Sequence, residues 1–290
     1  MPAIEGVLSI DKPGGMTSHD VIQRVRRLTN IRRIGHAGTL DPLATGVLLL
    51  CVGRAARLVE YLVGQDKVYE ATVRLGQTTN TYDAEGEVVA ERPFSHITPG
   101  QIEQTLSQFR GPIQQRPPRY SAIKKDGQPL YKLARAGIDV EPPLREVTIY
   151  ALEIEAVDLP EVRLRVSCSS GTYVRSLAHD LGQALGCGGH VTALRRVAVG
   201  DFAVETAVPL DQLTETNWQD YLLASDTAVA HLPRLNLSAA ATTQLQNGQR
   251  PPRPDNQPPA SLLRAYDPAG QFIGTITAHE EYLQARKIFL

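Results

Sequence analysis

Apolar positions recur along the 290-residue chain with two different periods. Val21, Ile22, Val25 and Leu28 fall on one face at helical spacing, leaving Arg24 and Arg27 largely outward. Thr17 followed by Asp20 has the spacing of a capping box, which places the helix start there, and the acid suits the first turn. Val174, Leu177, Ala178, Leu181, Ala184 and Leu185 predict a second helix, stopped by Gly186. Elsewhere the period is two. Tyr69, Ala71, Val73 and Leu75 alternate with Glu70, Thr72 and Arg74, and Leu164, Val166 and Cys168 alternate with Arg163, Arg165 and Ser167. Asp83-Ala84-Glu85-Gly86 is a turn leading to a strand over Glu87–Ala90. The continuous apolar run Val47–Val52 reads as a buried strand or short core segment, and the twelve residues before it, with three glycines and a proline, as irregular loop. Strands and helices mix without a regular βα repeat, so the fold class is α+β, not a doubly wound sheet.

Two segments stand apart. Residues 117–145 are bracketed by Pro117-Pro118 and Pro142-Pro143 and interleave Tyr120, Lys124, Lys125, Tyr131, Lys132 and Arg135, an excursion with a basic and aromatic surface. A boundary near residue 230 separates a body, 1–229, from a tail, 230–290. The tail holds a proline-rich stretch and two strand candidates, Ser261–Tyr266 and Phe272–Ala278, which makes it a small β-rich domain.

Composition adds a puzzle. Hydrophobic residues at 42% and charged residues at 21% describe a globular protein. No apolar run approaches the roughly 20 residues that cross a bilayer. The N-terminus has no basic start or long apolar stretch, so a cytoplasmic protein is expected. Thirty Lys and Arg against 31 Asp and Glu leave a net charge of −1, which alone argues against a nucleic-acid partner. The average hides a dipole. Segments 1–60, 117–145 and 161–200 each carry a net +3, while 201–230 holds Asp201, Glu205, Asp211, Glu215, Asp220 and Asp226 and no base. Arg supplies 24 of the 30 bases, and its fork suits phosphate contacts better than Lys does. A plain solvated surface would look the same.

Much chemistry is excluded by what the chain lacks. It has no GxxxxGK[ST] phosphate loop, and Gly186-Cys187-Gly188-Gly189 follows a helix and does not fit a dinucleotide fingerprint. Cys51, Cys168 and Cys187 form no CxxC pair, and His36, His179 and His190 have no ligand-like neighbours, so neither metal nor cofactor is expected. Cys168 sits in the apolar phase of its strand and reads as buried and inert. Gly35-His36-Ala37-Gly38 matches the GXXG loop of KH domains, but the following apolar run is not the helix such a loop needs. Asp41 remains. A carboxylate in a glycine-rich loop beside an apolar wall suits a nucleophile or base, and Asp41-Pro42 equally suits an ordinary turn. These residues alone leave both open.

Five longer words narrow the choice: GVLSIDKPGGMTSHDV (6–21), RRIGHAGTLDPLATGVLLLCVG (32–53), KVYEATVRLGQTTNTYDAEG (67–86), CSSGTYVRSLAHDLG (168–182) and GGHVTALRR (188–196). In this order they resemble the bacterial tRNA pseudouridine-55 synthases, the TruB type. The resemblance implies a mixed, mainly antiparallel sheet flanked by helices, a PUA-like C-terminal domain, and an RNA-gripping thumb at 117–145. It implies isomerisation of a T-loop uridine of tRNA with no cofactor, by a stand-alone monomer that needs no protein partner. Rival readings are a related synthase with another RNA target, and a tRNA-folding chaperone.

Residue by residue, the resemblance makes Asp41 the catalytic carboxylate and Arg175 its ion-pair partner. Tyr69 is the tyrosine that stacks on the target uracil, and it also carries a candidate proton-transfer role. Tyr173 and Leu194 line the pocket, and His36 enters the RNA loop as the target nucleotide is displaced. Lys124, Lys125 and Arg135 are substrate-binding positions on the thumb, and Lys12 and Pro13 are structural support near the pocket.

Overall fold

Strand β1 (Gly6–Lys12) leads into a helix at Ser18–Thr29 that Thr17 caps, accepting from the Asp20 amide while Asp20 accepts from the Thr17 amide. The sequence periods for this helix hold: Val21, Ile22 and Val25 are buried. β2 (Ile34–Ala37) and β3 (Thr45–Val52) follow, then a short helix at Val59–Val63, β4 (Lys67–Leu75), and the hairpin of β5 (Gln77–Thr79) with β6 (Val88–Glu91). A helix at Pro99–Leu106 precedes β7 (Gly111–Gln115), β8 (Lys124–Lys125) and β9 (Gln128–Pro129). β10 (Arg145–Asp158) and β11 (Glu161–Cys168) come before the helix Val174–Ala184, β12 (Gly189–Val199), β13 (Phe202–Ala203) and β14 (Val208–Pro209). The tail contains β15 (Arg234–Asn236), a helix at Ala239–Gln246, β16 (Ser261–Tyr266), β17 (Phe272–Ala278) and β18 (Leu283–Ile288). This computed structural model describes residues 4–121, 123–125, 127–130, 133, 136, 138, 140–255, 257–259 and 261–289.

Ten strands form one sheet in the order β14-β1-β3-β12-β4-β11-β10-β7, with β2 beside β3 and β13 beside β12. The sheet is mixed: β1 with β14 and β3 with β12 run parallel, and the other pairs run antiparallel. The expected α+β class with a mainly antiparallel sheet is therefore what the chain adopts.

β3 explains its own continuous apolar run. Leu48, Leu50 and Val52 face one core with Ile10, Val21, Ile22 and Val25, while Val47, Leu49 and Cys51 face a second core with Leu58 and Leu62. A strand covered on both faces has no polar side to show.

Two sequence expectations need correcting. Residues 35–37, read as the start of a loop, belong to strand β2, paired from Ile34 opposite Val52 to Ala37 opposite Leu49. Gly35 made the segment look irregular, but a side chain there would press 3.1 Å from Val59 Cγ2, so the glycine serves close packing. The tail, read as strands and turns, also contains the helix Ala239–Gln246, capped by Ser238.

The four-stranded sheet β15-β16-β17-β18 packs on the body. Arg57 Nη1 donates to Ile288 O at 2.6 Å, Lys287 pairs with Glu60 at 3.0 Å, and Phe289 is buried in the second core. Among the described residues no helix is long and apolar enough to cross a membrane.

Candidate active site

The segment 38–46 crosses between β2 and β3 and is tied down from several sides. Ser18 Oγ donates to Leu40 O at 3.1 Å and accepts from Leu40 N at 2.8 Å, and Leu40 is buried in the core beside Asp41. Gly15 N donates to Pro42 O at 2.8 Å. Lys12 is fully buried, and its Nζ donates to Met16 O at 2.6 Å, Pro13 O at 2.9 Å and Pro42 O at 3.4 Å. Arg195 bridges Asp11 and Thr45. Such anchoring fixes a loop that composition alone would leave mobile.

Opposite Asp41 stands Arg175, in the first turn of the helix Val174–Ala184. A cation there opposes the helix dipole, so its place is bought by other contacts. Nε lies 2.9 Å from Asp41 Oδ2, a charge contact whose N–H is not aligned as a hydrogen bond. Nη1 donates to Asp83 Oδ2 and to Thr81 O, each at 3.0 Å, and Nη2 donates to Tyr120 O at 3.0 Å. Arg175 and Asp83 are 6% and 3% exposed in their side chains, whereas Asp41 is 36% exposed. The cation is thus held from behind and presents its free edge to the one carboxylate that solvent can reach. The helix start is itself braced: Gln115 Oε1 accepts from Tyr173 N at 2.8 Å and Ser176 Oγ donates to Arg116 O at 2.7 Å.

Burial raises the Asp41 carboxyl above its ordinary range, opposed by Arg175, reinforced by Asp83 and opposed again by Lys12. Burial also brings the Lys12 ammonium down to about 8, against the pull of Asp41 and Glu85. Glu85 rises for the same reason, and it accepts a hydrogen bond from the Leu43 amide at the rim of the loop. Tyr69 is 8% exposed on β4, and burial raises its phenol while Arg196, which donates a hydrogen bond to it, opposes the rise. Tyr173 is likewise raised by burial, bonded to Ser121, and feels the charges of Asp41 and Arg175.

Asp41, Arg175, Tyr69 and Tyr173 are therefore within electrostatic reach of one another. Leu194, 9% exposed, enters through β12, where it pairs with Ala71 two residues beyond Tyr69. His36 lies on β2, kept toward the neutral form by burial and by Arg196, with a buried Nδ1 that lacks a partner. Lys124 and Lys125 form β8 in a two-stranded hairpin with Gln128–Pro129, and Arg135 lies outside the described residues. Cys168 is buried with its thiol pushed up to about 11, inert as expected. Among the described residues no cluster of three His, Cys, Asp or Glu is placed to hold a metal ion.

Two participants escaped the sequence reading. Asp83 looked like a turn residue and is the buried second carboxylate of Arg175. Arg196 ended a motif word and is 1% exposed beside Tyr69. The only signal for either was that both fall inside the longer words quoted above.

Comparison with known proteins agrees with this arrangement. Residues 26–174 match the model for the TruB family pseudouridylate synthase N-terminal domain, 175–235 that for the tRNA pseudouridylate synthase B C-terminal domain, and 233–287 that for pseudouridine synthase II TruB, C-terminal. The chain is 48% identical over 279 residues to tRNA pseudouridine synthase B of Pseudomonas aeruginosa (strain UCBPP-PA14), covering 94% of this chain and 91% of that protein. It is 46% identical over 278 residues to the protein of that name from Coxiella burnetii (strain Dugway 5J108-111), covering 93% and 90%. Among solved structures it resembles a chain of a Cbf5-Nop10-Gar1 complex with a TM-score of 0.77 at 27% identity, over 98% of this chain and 85% of that one. A chain of an H/ACA RNP bound to a substrate RNA containing 2'-deoxyuridine gives 0.75 at 25%, with the same coverage.

Proposed function

The chain belongs to the TruB family of pseudouridylate synthases, and we propose that it isomerises one T-loop uridine of tRNA, position 55, to pseudouridine. The N1–C1′ bond breaks, the freed uracil turns, C5 bonds to C1′, the C5 proton leaves and N1 gains one. Atoms and charge balance with no oxidant, reductant or cofactor. The observation that carries the reading is the contact of Asp41 with Arg175: a partly exposed carboxylate faced by a buried cation held from behind. The cation opposes the burial that raises Asp41 and so favours the ionised form that a nucleophile or base needs.

Asp41 attacks C1′ of the ribose, acts as base toward the 2′ position, or adds to C6 of the uracil. Tyr69 stacks on the uracil, an interaction worth roughly 1–3 kcal/mol per base that also permits rotation in the ring plane. Tyr173 and Leu194 complete the walls. Flipping the nucleotide costs a few kcal/mol, and His36 fills the gap it leaves, for which a neutral imidazole suits a stacked site. Segment 117–145, with Lys124, Lys125 and Arg135, grips the T-arm, and the tail from about residue 230 binds RNA beyond it. The enzyme works as a monomer without guide RNA or protein partner.

The test is direct. Purified protein and an unmodified tRNA transcript, with no cofactor and no guide, are incubated and pseudouridine is mapped. Product at the T-loop uridine, lost in Asp41→Asn with tRNA binding kept, supports the reading. Product only on addition of a guide RNA, or tight binding without product, overturns it.

A further inference from the structure

Arg196 is the largest side chain that the fold buries completely. It lies on β12 between two partners: in the parallel pairing it stands opposite Gly46 of β3, and in the antiparallel pairing opposite Tyr69 of β4. Residues opposed in an antiparallel pair point to the same side of the sheet, so the guanidinium and the phenol share a face. The guanidinium spends its donors in three directions. Nε donates to Val47 O at 2.7 Å, Nη2 donates to Gly38 O at 3.0 Å, and the Tyr69 hydroxyl accepts from the same group. Among the described residues no carboxylate pairs with it.

The two carbonyls are not arbitrary. Gly38 is the first residue after β2 and Val47 the third of β3, so the two carbonyls flank the segment bearing Asp41. One planar cation therefore closes the base of that loop and touches the residue across the pocket from it. The backbone is shaped for this. Gly38 has φ +80°, and a Cβ there would stand 3.2 Å from Nη1. Gly46 has φ +99°, and a Cβ there would fall 2.1 Å from the Arg196 carbonyl oxygen, a close approach of the two strand backbones that is independent of the side chain at 196. Burying a cation without a carboxylate partner is unfavourable, and neutral side chains could have sealed the same space. An arginine at that cost implies that its fork and charge are used.

We propose that Arg196 is a positioning residue, a clamp that holds the Asp41 loop and Tyr69 at a fixed separation across the uracil pocket. It touches no reacting atom. It acts through Val47 and Gly38 on one side and through the phenol on the other. The inference rests on the synthase reading for its kinetic consequence, and on the geometry alone for its mechanical one.

Both consequences are measurable on the full chain. Arg196→Lys keeps the charge but offers a point cation that cannot span two carbonyls and a phenol. Arg196→Gln keeps a planar donor and removes the charge. Steady-state kinetics on a tRNA transcript should show kcat reduced about tenfold or more in both, as expected for misplacement of about an ångström. KM for tRNA should stay within about threefold, because the clamp contacts no RNA. Hydrogen exchange is read in parallel. Faster exchange in the variants at the Leu40 and Ala44 amides, with β10 and β11 protected as in wild type, supports the clamp. Unchanged kcat, unchanged exchange in the loop, or exchange raised equally throughout the sheet overturns it. If wild type forms no pseudouridine, the synthase reading falls, and hydrogen exchange still decides the clamp. If Arg196→Lys fails to fold, Arg196→Gln is judged by the same two measurements, and failure of both to fold makes Arg196 a folding residue and overturns the proposal.

Discussion

Asp83 lies 3.0 Å from Arg175 Nη1 with its side chain only 3% exposed, so it anchors from the rear the cation that faces Asp41. Removing Asp83 leaves the buried cation with Asp41 as its remaining carboxylate and takes from Nη1 its charged acceptor. Asp83→Ala should lower the free energy of unfolding by about 1–3 kcal/mol, read by urea denaturation. Asp83→Asn keeps shape and one acceptor, so it should lose less stability while slowing single-turnover conversion by about tenfold or more as Arg175 drifts. An Asn variant as fast as wild type would sever Asp83 from the site.

Asp41 should behave in the opposite sense. Its folded carboxyl is raised above the ordinary 3.8, chiefly by burial, so the folded protein holds this proton more readily than the unfolded chain does. Stability from this group therefore falls as pH rises from 3.8 through the raised value, and the ionised form costs stability at neutral pH. Asp41→Asn should be inactive and yet at least as stable as wild type at pH 7, with the difference vanishing below the ordinary carboxyl range. Thermal melts at a series of pH values check this, and a destabilised Asn variant would refute it.

Lys12 and Lys67 give the alkaline counterpart. Each is brought down from 10.5 to about 8, chiefly by burial, so between those values the unfolded chain binds protons that the folded protein has released. Stability should therefore rise with pH across that window. Lys12→Met should remove part of that rise. It should also cost about 1–3 kcal/mol at pH 7, because the carbonyls of Pro13, Met16 and Pro42 lose their donor. A melting temperature in the variant with the wild-type pH slope would contradict the assignment.

If segment 117–145 grips RNA as proposed, the double change Lys124→Ala with Lys125→Ala should weaken tRNA binding and flatten its dependence on salt. Each lost phosphate contact should reduce the log–log slope by about 0.7–0.9. Equilibrium binding at several salt concentrations measures it, and an unchanged slope removes the hairpin from the RNA interface.

How much of this could be read from the sequence depends on what the signal was. The capped helix after Thr17 and the alternation around Tyr69 were legible because local periodicity and solvent exposure agree there, and of the four tail strands β16 and β17 were read and β15 and β18 were not. Asp41 and Arg175 were legible only as members of long motif words, since nothing local brings positions so far apart to 2.9 Å. Asp83 was hidden by its own turn: Asp-Ala-Glu-Gly is surface chemistry in most contexts, and its burial follows from long-range packing. Arg196 was hidden by irregularity. β12 shifts register between Val191 and Ala193 and again between Arg196 and Ala198, so no clean alternation marks which side chains point inward. The helix Ala239–Gln246, AAATTQLQ, has no strong apolar stripe to announce it.

β12 is the late-made strand in the middle of the large sheet, between β3 and β4, and it delivers Leu194, Arg195 and Arg196 together. A growing polypeptide that has reached residue 170 already owns Asp41 and Tyr69, but it lacks Arg175 and the strand that separates β3 from β4. During synthesis these groups therefore come together only after residue 196 has been made, with β14 and the tail still to follow.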